Sequence, residues 1–313
     1  MYYQSSRGQS TAVKAAEAIV MGIAPDGGLF VPDFIPRLKN DFMTAMSQMT
    51  YQQRAEAILT LYLTDFTADE IDACVNKAYN KEKFDHSSIA PLVKVEEGFF
   101  SLELWHGPTS AFKDMALQLL PHLMTISAAK NQEKREIVIL VATSGDTGKA
   151  ALAGFQDVPG TRIVVFYPQD GVSKVQQRQM TTQEGNNVYV AAVIGNFDDA
   201  QSGVKKIFAD PAFNERLNDH NMKLSSANSI NWGRLVPQIV YYVSAYLDLV
   251  AGKHINAGDK INIVVPTGNF GNILAAYYAS MMGVPVHKLI CASNANNVLT
   301  DFIQTGTYDR NRQ

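Results

Sequence analysis

Beyond residue 136 the chain alternates short apolar runs with segments of helical length, and no other feature narrows its possible folds as much. The runs are Ile137 to Ala142, Arg162 to Tyr167, Val188 to Val193, Ile261 to Val265 and Leu289 to Ala292. Near-continuous apolar runs of this length suit strands buried on both faces. The stretches between them can each hold a crossover helix, so a parallel sheet with helices on both faces is expected. Ligands bind such sheets beyond the carboxyl ends of the strands, which makes the loops after these runs the places to look for chemistry.

The first ninety residues read as mainly helical. Val13, Ala16, Ile19 and Val20 share a helical spacing after Thr11, and Gly22 stands where a left-handed residue would end that helix. Asp26-Gly27-Gly28 and Pro25, Pro32 and Pro36 mark a turn-rich segment. Thr50 with Gln53 and Thr67 with Glu70 are two capping boxes, each opening an amphipathic helix. After Pro91 the pattern changes to Leu92 to Val95 and Phe99 to Leu104, a hairpin turning at Glu96-Glu97-Gly98. The expected division is a mainly helical domain at 1–90 and an α/β region at 91–313.

Several function classes are excluded at this level. Lys and Arg total 27 against 30 Asp and Glu, a net charge of -3, which does not suit a nucleic-acid binder. Apolar runs reach only seven residues, as at Val188 to Ile194, whereas a membrane helix needs about 20. Lys14 and Glu17 interrupt the apolar segment Ala12 to Met21, so no signal peptide is expected there. Cys74 and Cys291, the two cysteines, form neither a disulfide framework nor a metal site with the histidines, and a cytoplasmic protein without a metal is expected.

Four loops carry candidate chemistry. Pro266-Thr267-Gly268-Asn269-Phe270-Gly271-Asn272 joins a strand to an apolar helix from Ile273 to Met282. Its glycines let backbone N–H groups converge at the positive end of that helix, a layout that binds phosphate. The alternative is a tight turn using glycine for geometry alone, and the spacing is neither a dinucleotide fingerprint nor a Walker loop. Thr143 to Gly148 (Thr-Ser-Gly-Asp-Thr-Gly) presents hydroxyls and a carboxylate at a helix start, where Ser144 or Asp146 could simply be a cap.

His106 to Asp114 (His-Gly-Pro-Thr-Ser-Ala-Phe-Lys-Asp) leads into a helix expected from Met115 to Ala128, with Ser110 as N-cap. Lys113 then falls in the first turn, where the helix dipole disfavours a cation and an amine moves toward the neutral form that attacks aldehydes. The alternative is a solvated surface lysine. Ser225 to Arg234 (Ser-Ser-Ala-Asn-Ser-Ile-Asn-Trp-Gly-Arg) is dense in hydrogen-bonding groups before another apolar helix. Arg234 there is either a phosphate ligand or a surface residue beside a capped helix.

Taken together and in this order, the four segments resemble those of the threonine synthases. The opening Tyr3-Gln4-Ser5-Ser6-Arg7-Gly8 and the stretch Gly22 to Leu29 are similar to that family as well. The resemblance implies the tryptophan-synthase-β-like fold, fold type II, and a pyridoxal 5'-phosphate enzyme converting O-phospho-L-homoserine and water to L-threonine and phosphate. It implies that Lys113 holds the cofactor as a Schiff base and shuttles protons, and that Gly268, Asn269, Phe270, Gly271 and Asn272 cradle its phosphate while Asp146 approaches its ring. Thr147, Ser229, Asn231 and Arg234 would receive the substrate phosphate. The family pattern continues past Arg312-Gln313, so a truncated enzyme with weak cofactor binding is the expectation, as a monomer or homodimer. A phospho-lyase on the same scaffold and a catalytically weak cofactor-binding fragment are the alternatives.

Overall fold

The computed structural model describes residues 1–309, apart from the side chain of Asn40; Arg312 and Gln313 lie outside the described residues. The N-terminal part runs β1 (Tyr3–Ser5), α1 (Ala15–Met21), β2 (Phe30–Pro32), α2 (Asn40–Met46), α3 (Tyr51–Tyr62) and α4 (Ala68–Ala78). Both capping boxes form: Thr50 and Thr67 accept from the N–H three residues on, and Gln53 and Glu70 reach back to the cap N–H. Gly22 ends α1 at φ 73°. That helix starts later than its apolar spacing suggests, because Val13 is held in a bridge to Tyr3 by two backbone hydrogen bonds. The antiparallel β1–β2 pair is too short to have left a period in the sequence.

Next comes the hairpin of β3 (Leu92–Glu96) and β4 (Phe99–Leu102). Then follow α5 (Asp114–Leu117), α6 (Leu120–Lys130), β5 (Glu136–Ala142), α7 (Asp146–Phe155), β6 (Thr161–Pro168), α8 (Lys174–Thr181) and β7 (Val188–Val193). The remainder is α9 (Phe197–Ala209), α10 (Pro211–Asp219), β8 (Met222–Ser225), α11 (Trp232–Ala251), β9 (Ile261–Pro266), α12 (Gly271–Met282), β10 (Val286–Ala292) and α13 (Val298–Thr305). The parallel strands form two sheets rather than one: β7-β6-β5-β8, and a separate β9–β10 pair.

β5 shows why its sequence is apolar throughout. Ile137, Ile139 and Val141 enter the main core with Ala150, Leu152 and Phe155 of α7, whereas Val138, Leu140 and Ala142 join Ala200 and Val204 of α9 on the other face. The main core continues without a break into the N-terminal helices. Trp232 at the start of α11 packs against Tyr3, Tyr62 and Tyr278, with ring centroids 5.2, 5.4 and 5.8 Å away. Arg54 of α3, buried, donates to Asp248 of α11 at 2.7 Å and to the Met46 carbonyl at 3.0 Å.

The helix expected from Met115 to Ala128 is two helices. Pro121 has no N–H to give the carbonyl four residues back, Leu117, so the chain turns at Gln118-Leu119 and starts again. Ser110 is not its cap. That residue sits at φ 54° in the turn closed by its N–H on the Gly107 carbonyl.

Candidate active site

Lys113 is the residue immediately before α5, its carbonyl accepting from the N–H of Leu117, so it stands at the cap position and not inside the first turn. Its loop is folded around a carboxylate. Asp114, fully buried, accepts from the N–H and hydroxyl of Thr109 at 2.8 and 2.7 Å. Burial raises the Asp114 pKa while those Thr109 bonds work against the rise. Gly107 passes so close to Asp114 that a Cβ there would lie 2.5 Å from the aspartate's own Cβ.

The amine of Lys113 faces a partner from another element: Nζ lies 2.7 Å from Asp146 Oδ2, and over the Phe112 ring at 4.3 Å. The geometry presents an ion pair, where the helix-start position predicts an amine moved toward its neutral form. Asp146 is available because it does not cap α7. Neither does Ser144: the cap is Gly145 at φ 151°, with no side-chain cap bond. The turn is held by Thr143, whose Oγ1 accepts from the N–H groups of Gly145 and Gly148 at 3.0 and 2.9 Å. Gly145 is obligatory here, since its positive φ disfavours other residues and a Cβ would meet the Gln176 side chain at 2.5 Å. Thr147, next to Asp146, is half-buried at the same helix start.

The glycine loop after β9 turns on Gly268 at φ 45° and on Phe270 at φ 64° before α12 begins at Gly271. No side chain caps α12, so its opening N–H groups converge on the loop. Ser229 reaches this loop, its Cβ 3.9 Å from where a Cβ on Gly271 would stand. Asn272 is oriented from the side: its Oδ1 accepts from the hydroxyls of Tyr241 at 2.5 Å and Tyr242 at 2.7 Å. With the oxygen fixed, the Asn272 amide turns its N–H groups away from the tyrosines.

One face of α11 joins these parts. Arg234, Gln238, Tyr241 and Tyr242 recur at helical spacing. The Tyr241 hydroxyl, whose one proton goes to Asn272, also lies 3.0 Å from Gln238 Oε1, and Gln238 donates to the Arg234 carbonyl at 2.7 Å. Arg234 is itself buried; Nη1 donates to the Ala227 carbonyl at 2.6 Å, while its buried Nε has no protein partner. Burial lowers its pKa to about 10, with Asp146 and Tyr241 opposing the fall, so the guanidinium keeps its charge at neutral pH.

Asn231 departs from the expected phosphate role. Its Nδ2 donates to the carbonyls of Ile19 and Ser226 at 3.0 and 2.9 Å and its Oδ1 accepts from Gly233, which leaves no donor for an anion. It anchors the Ser/Asn-rich turn to α1. Sequence reasoning passed over Thr143, Asp114, Tyr241 and Tyr242. The first two stood inside segments already singled out, whereas the tyrosines left no signal beyond an apolar helix. Among the described residues, no three His, Cys, Asp or Glu side chains are grouped to hold a metal, and no helix is long and apolar enough to cross a membrane.

Comparison with known proteins gives this arrangement a family. A threonine synthase N-terminus model matches residues 2–79, and a pyridoxal-phosphate dependent enzyme model matches residues 85–313. Threonine synthase-like 1 of Homo sapiens is 46% identical over 305 residues, 94% of this chain and 40% of that protein. The PLP-bound threonine synthase from Brucella melitensis has a TM-score of 0.88 at 40% identity, over 99% of this chain and 64% of that one. The threonine synthase structure from Escherichia coli gives 0.84 at 30%, over 99% and 68%. The chain thus spans between two fifths and about two thirds of these relatives. Its fold is the type II fold of pyridoxal-phosphate enzymes, the tryptophan-synthase-β-like architecture. With both segments and the backbone in agreement, the chain belongs to the pyridoxal-phosphate-dependent enzymes, among the threonine synthases.

Proposed function

We propose that this chain carries the threonine synthase reaction, in which O-phospho-L-homoserine and water give L-threonine and phosphate. The observation that carries the reading is the meeting of four loops: Lys113 on Asp146, Arg234 buried with an unpartnered Nε, and Asn272 oriented by two tyrosines. The residues fit the cofactor. An uncapped helix start after a glycine turn suits its phosphate, and a lysine amine only partly exposed suits its aldehyde carbon. When bound, pyridoxal phosphate supplies the electron sink for chemistry at the substrate's Cα and Cβ.

In this reading Gly268, Asn269, Phe270, Gly271 and Asn272 hold the cofactor phosphate through backbone N–H groups and the Asn272 amide. Lys113 would hold the cofactor through its amine and would also be the group that moves protons at the substrate's Cα and Cβ. Asp146 would keep the Lys113 amine in place and would be the carboxylate nearest the cofactor's aldehyde end. Arg234, with Thr147 and Ser229, grips the substrate phosphate, which leaves from Cγ before water adds at Cβ. Asn231 supports this grip by fixing the turn that carries Ser229. Residues 1–90 act as a helical domain bracing the α/β region at 91–313. We infer a cytoplasmic enzyme of a small-molecule substrate, monomeric or homodimeric, with no nucleic-acid or membrane partner.

The test is product analysis with purified chain, cofactor and O-phospho-L-homoserine. Threonine with equimolar phosphate is the expected result. Phosphate with a keto acid and no threonine means a phospho-lyase, and no turnover means that the chain binds cofactor without catalysis; either outcome overturns the reading.

A further inference from the structure

Between α4, α6 and the turn after α7 lies a cavity of about 550 Å³, within the usual size of small-molecule sites. It opens at the C-terminal end of α7. The Lys113–Asp146 pair is at the other end of that ten-residue helix, about 15 Å away at 1.5 Å per residue.

Its walls carry two lysines against one acid. Lys77 and Lys83 both line it, and neither forms an ion pair among the described residues. Asp157 is the single acid of that lining, and its carboxylate already accepts from the backbone N–H and side chain of Asn186 at 2.8 and 3.2 Å. Glu70, on the same helix as Lys77, is taken by Lys130 at 2.8 Å. His122 of α6 completes the wall, and its buried Nε2 has no protein partner. Burial, with the charges of Lys83 and Lys77 behind it, presses the His122 pKa down to about 4, so the ring is neutral. Burial lowers Lys83 as well. Cations without an ion-pair partner around a partly enclosed space are stabilised by a ligand of opposite sign.

We propose that this cavity is a binding site for a small anionic metabolite carrying phosphate or carboxylate groups, held by Lys77 and Lys83 beside the His122 ring. The anion would sit against the lysine ammonium groups, and its negative charge would offset theirs at the His122 ring. This site shares no residue with the loops around Lys113.

The experiment uses cofactor-loaded protein with ¹⁵N-labelled histidine, titrated in parallel with inorganic pyrophosphate and with citrate. A saturable shift of the His122 ring signals, with a rise of about one unit in its pKa, is expected with at least one of the two. His106 serves as an internal control that stays unmoved. A response to pyrophosphate alone assigns a phosphorylated ligand, and one to citrate alone a carboxylate. Lys83→Met keeps the aliphatic stem and should weaken binding about tenfold. Lys77→Met, at an exposed position of α4, should do the same if Lys83→Met does not fold. His122 signals that ignore both anions up to about 10 mM, well above the millimolar range of weak specific binding, would overturn the proposal. So would a response that is undiminished in the folded lysine variants.

Discussion

Gly154 of α7 lies under the carbonyl oxygen of Leu117, so close that a Cβ at position 154 would overlap it. The carbonyl faces outward because Pro121 has no N–H to offer it. Leu117 ends the short helix that Lys113 begins, and Gly154 stands near the end of the helix that Asp146 begins. This contact fixes how closely α7 approaches α5, the two helices whose starts carry the ion pair.

Gly154→Ala should destabilise the fold by about 1–3 kcal/mol, the usual cost of forcing an extra methyl into a packed contact. It should also weaken cofactor binding, because α7 must move away from α5. Urea unfolding and a cofactor titration measure the two effects, and an unchanged midpoint would mean that the helices tolerate separation.

Lys113→Ala should lose covalent attachment of the cofactor. The partly exposed pair it breaks contributes no more than about 1 kcal/mol to stability, so the fold should survive. Borohydride reduction of the native protein followed by peptide mapping should place the label on Lys113. Label on Lys149 or Lys174 would move the assignment.

Arg234→Ala should raise the KM for O-phospho-L-homoserine by tenfold or more, from the loss of a charge-assisted hydrogen bond of about 1.5–3 kcal/mol. Cofactor affinity should change little, because the glycine loop after β9 is separate. Arg234→Lys should restore only part of the loss, since the single ammonium cannot reproduce the fork that also holds the Ala227 carbonyl. A parallel collapse of cofactor affinity would show that the two phosphates are not handled separately.

Tyr241→Phe combined with Tyr242→Phe should release the Asn272 amide to rotate and weaken cofactor binding by roughly tenfold, about 1.4 kcal/mol. Equilibrium dialysis of the double variant checks this. Either single variant should cost less, because the other hydroxyl still fixes Oδ1.

His106 gives a pH dependence with a definite sign. Burial works against its charge, but the hydrogen bonds its ring donates to the carboxylates of Glu103 at 2.9 Å and Asp85 at 2.6 Å outweigh it and raise the pKa. Its folded pKa is therefore above the unfolded value of about 6.5. The stability it contributes is fully present below that unfolded value and is lost as pH rises through the folded one. Glu103→Gln should lower the urea midpoint at pH 6 and do so much less at pH 9. A difference that grew with pH would contradict the assignment.

What the sequence disclosed was what neighbouring residues decide. Thr50 with Gln53, and Thr67 with Glu70, needed only their own turn of chain to form their boxes. The apolar run of β5 reflected burial on two faces. β8, by contrast, is four residues with a lysine inside it, and nothing local separates it from a loop. The site was legible as loops but not as a geometry. Lys113 and Asp146 are separated by 33 residues, and Tyr241 and Asn272 by 31, so neither pairing can be seen before the sheet brings them together. Asn231 illustrates the same limit from the other side: in sequence it is one more amide beside an arginine, and only the carbonyl of Ile19, 212 residues away, shows where its donors go.

The bond from Arg54 to Asp248 spans 194 residues, and that separation has a temporal meaning during synthesis. The helices α3 and α4 emerge long before α11, the element against which α3 closes. At roughly 5–20 residues per second, the wait is on the order of ten to forty seconds. During it, the apolar side of α3 is uncovered on a nascent chain whose later strands do not yet exist. Productive closure must come after translation of the α11 segment, so the early helices are the part most in need of chaperone shelter.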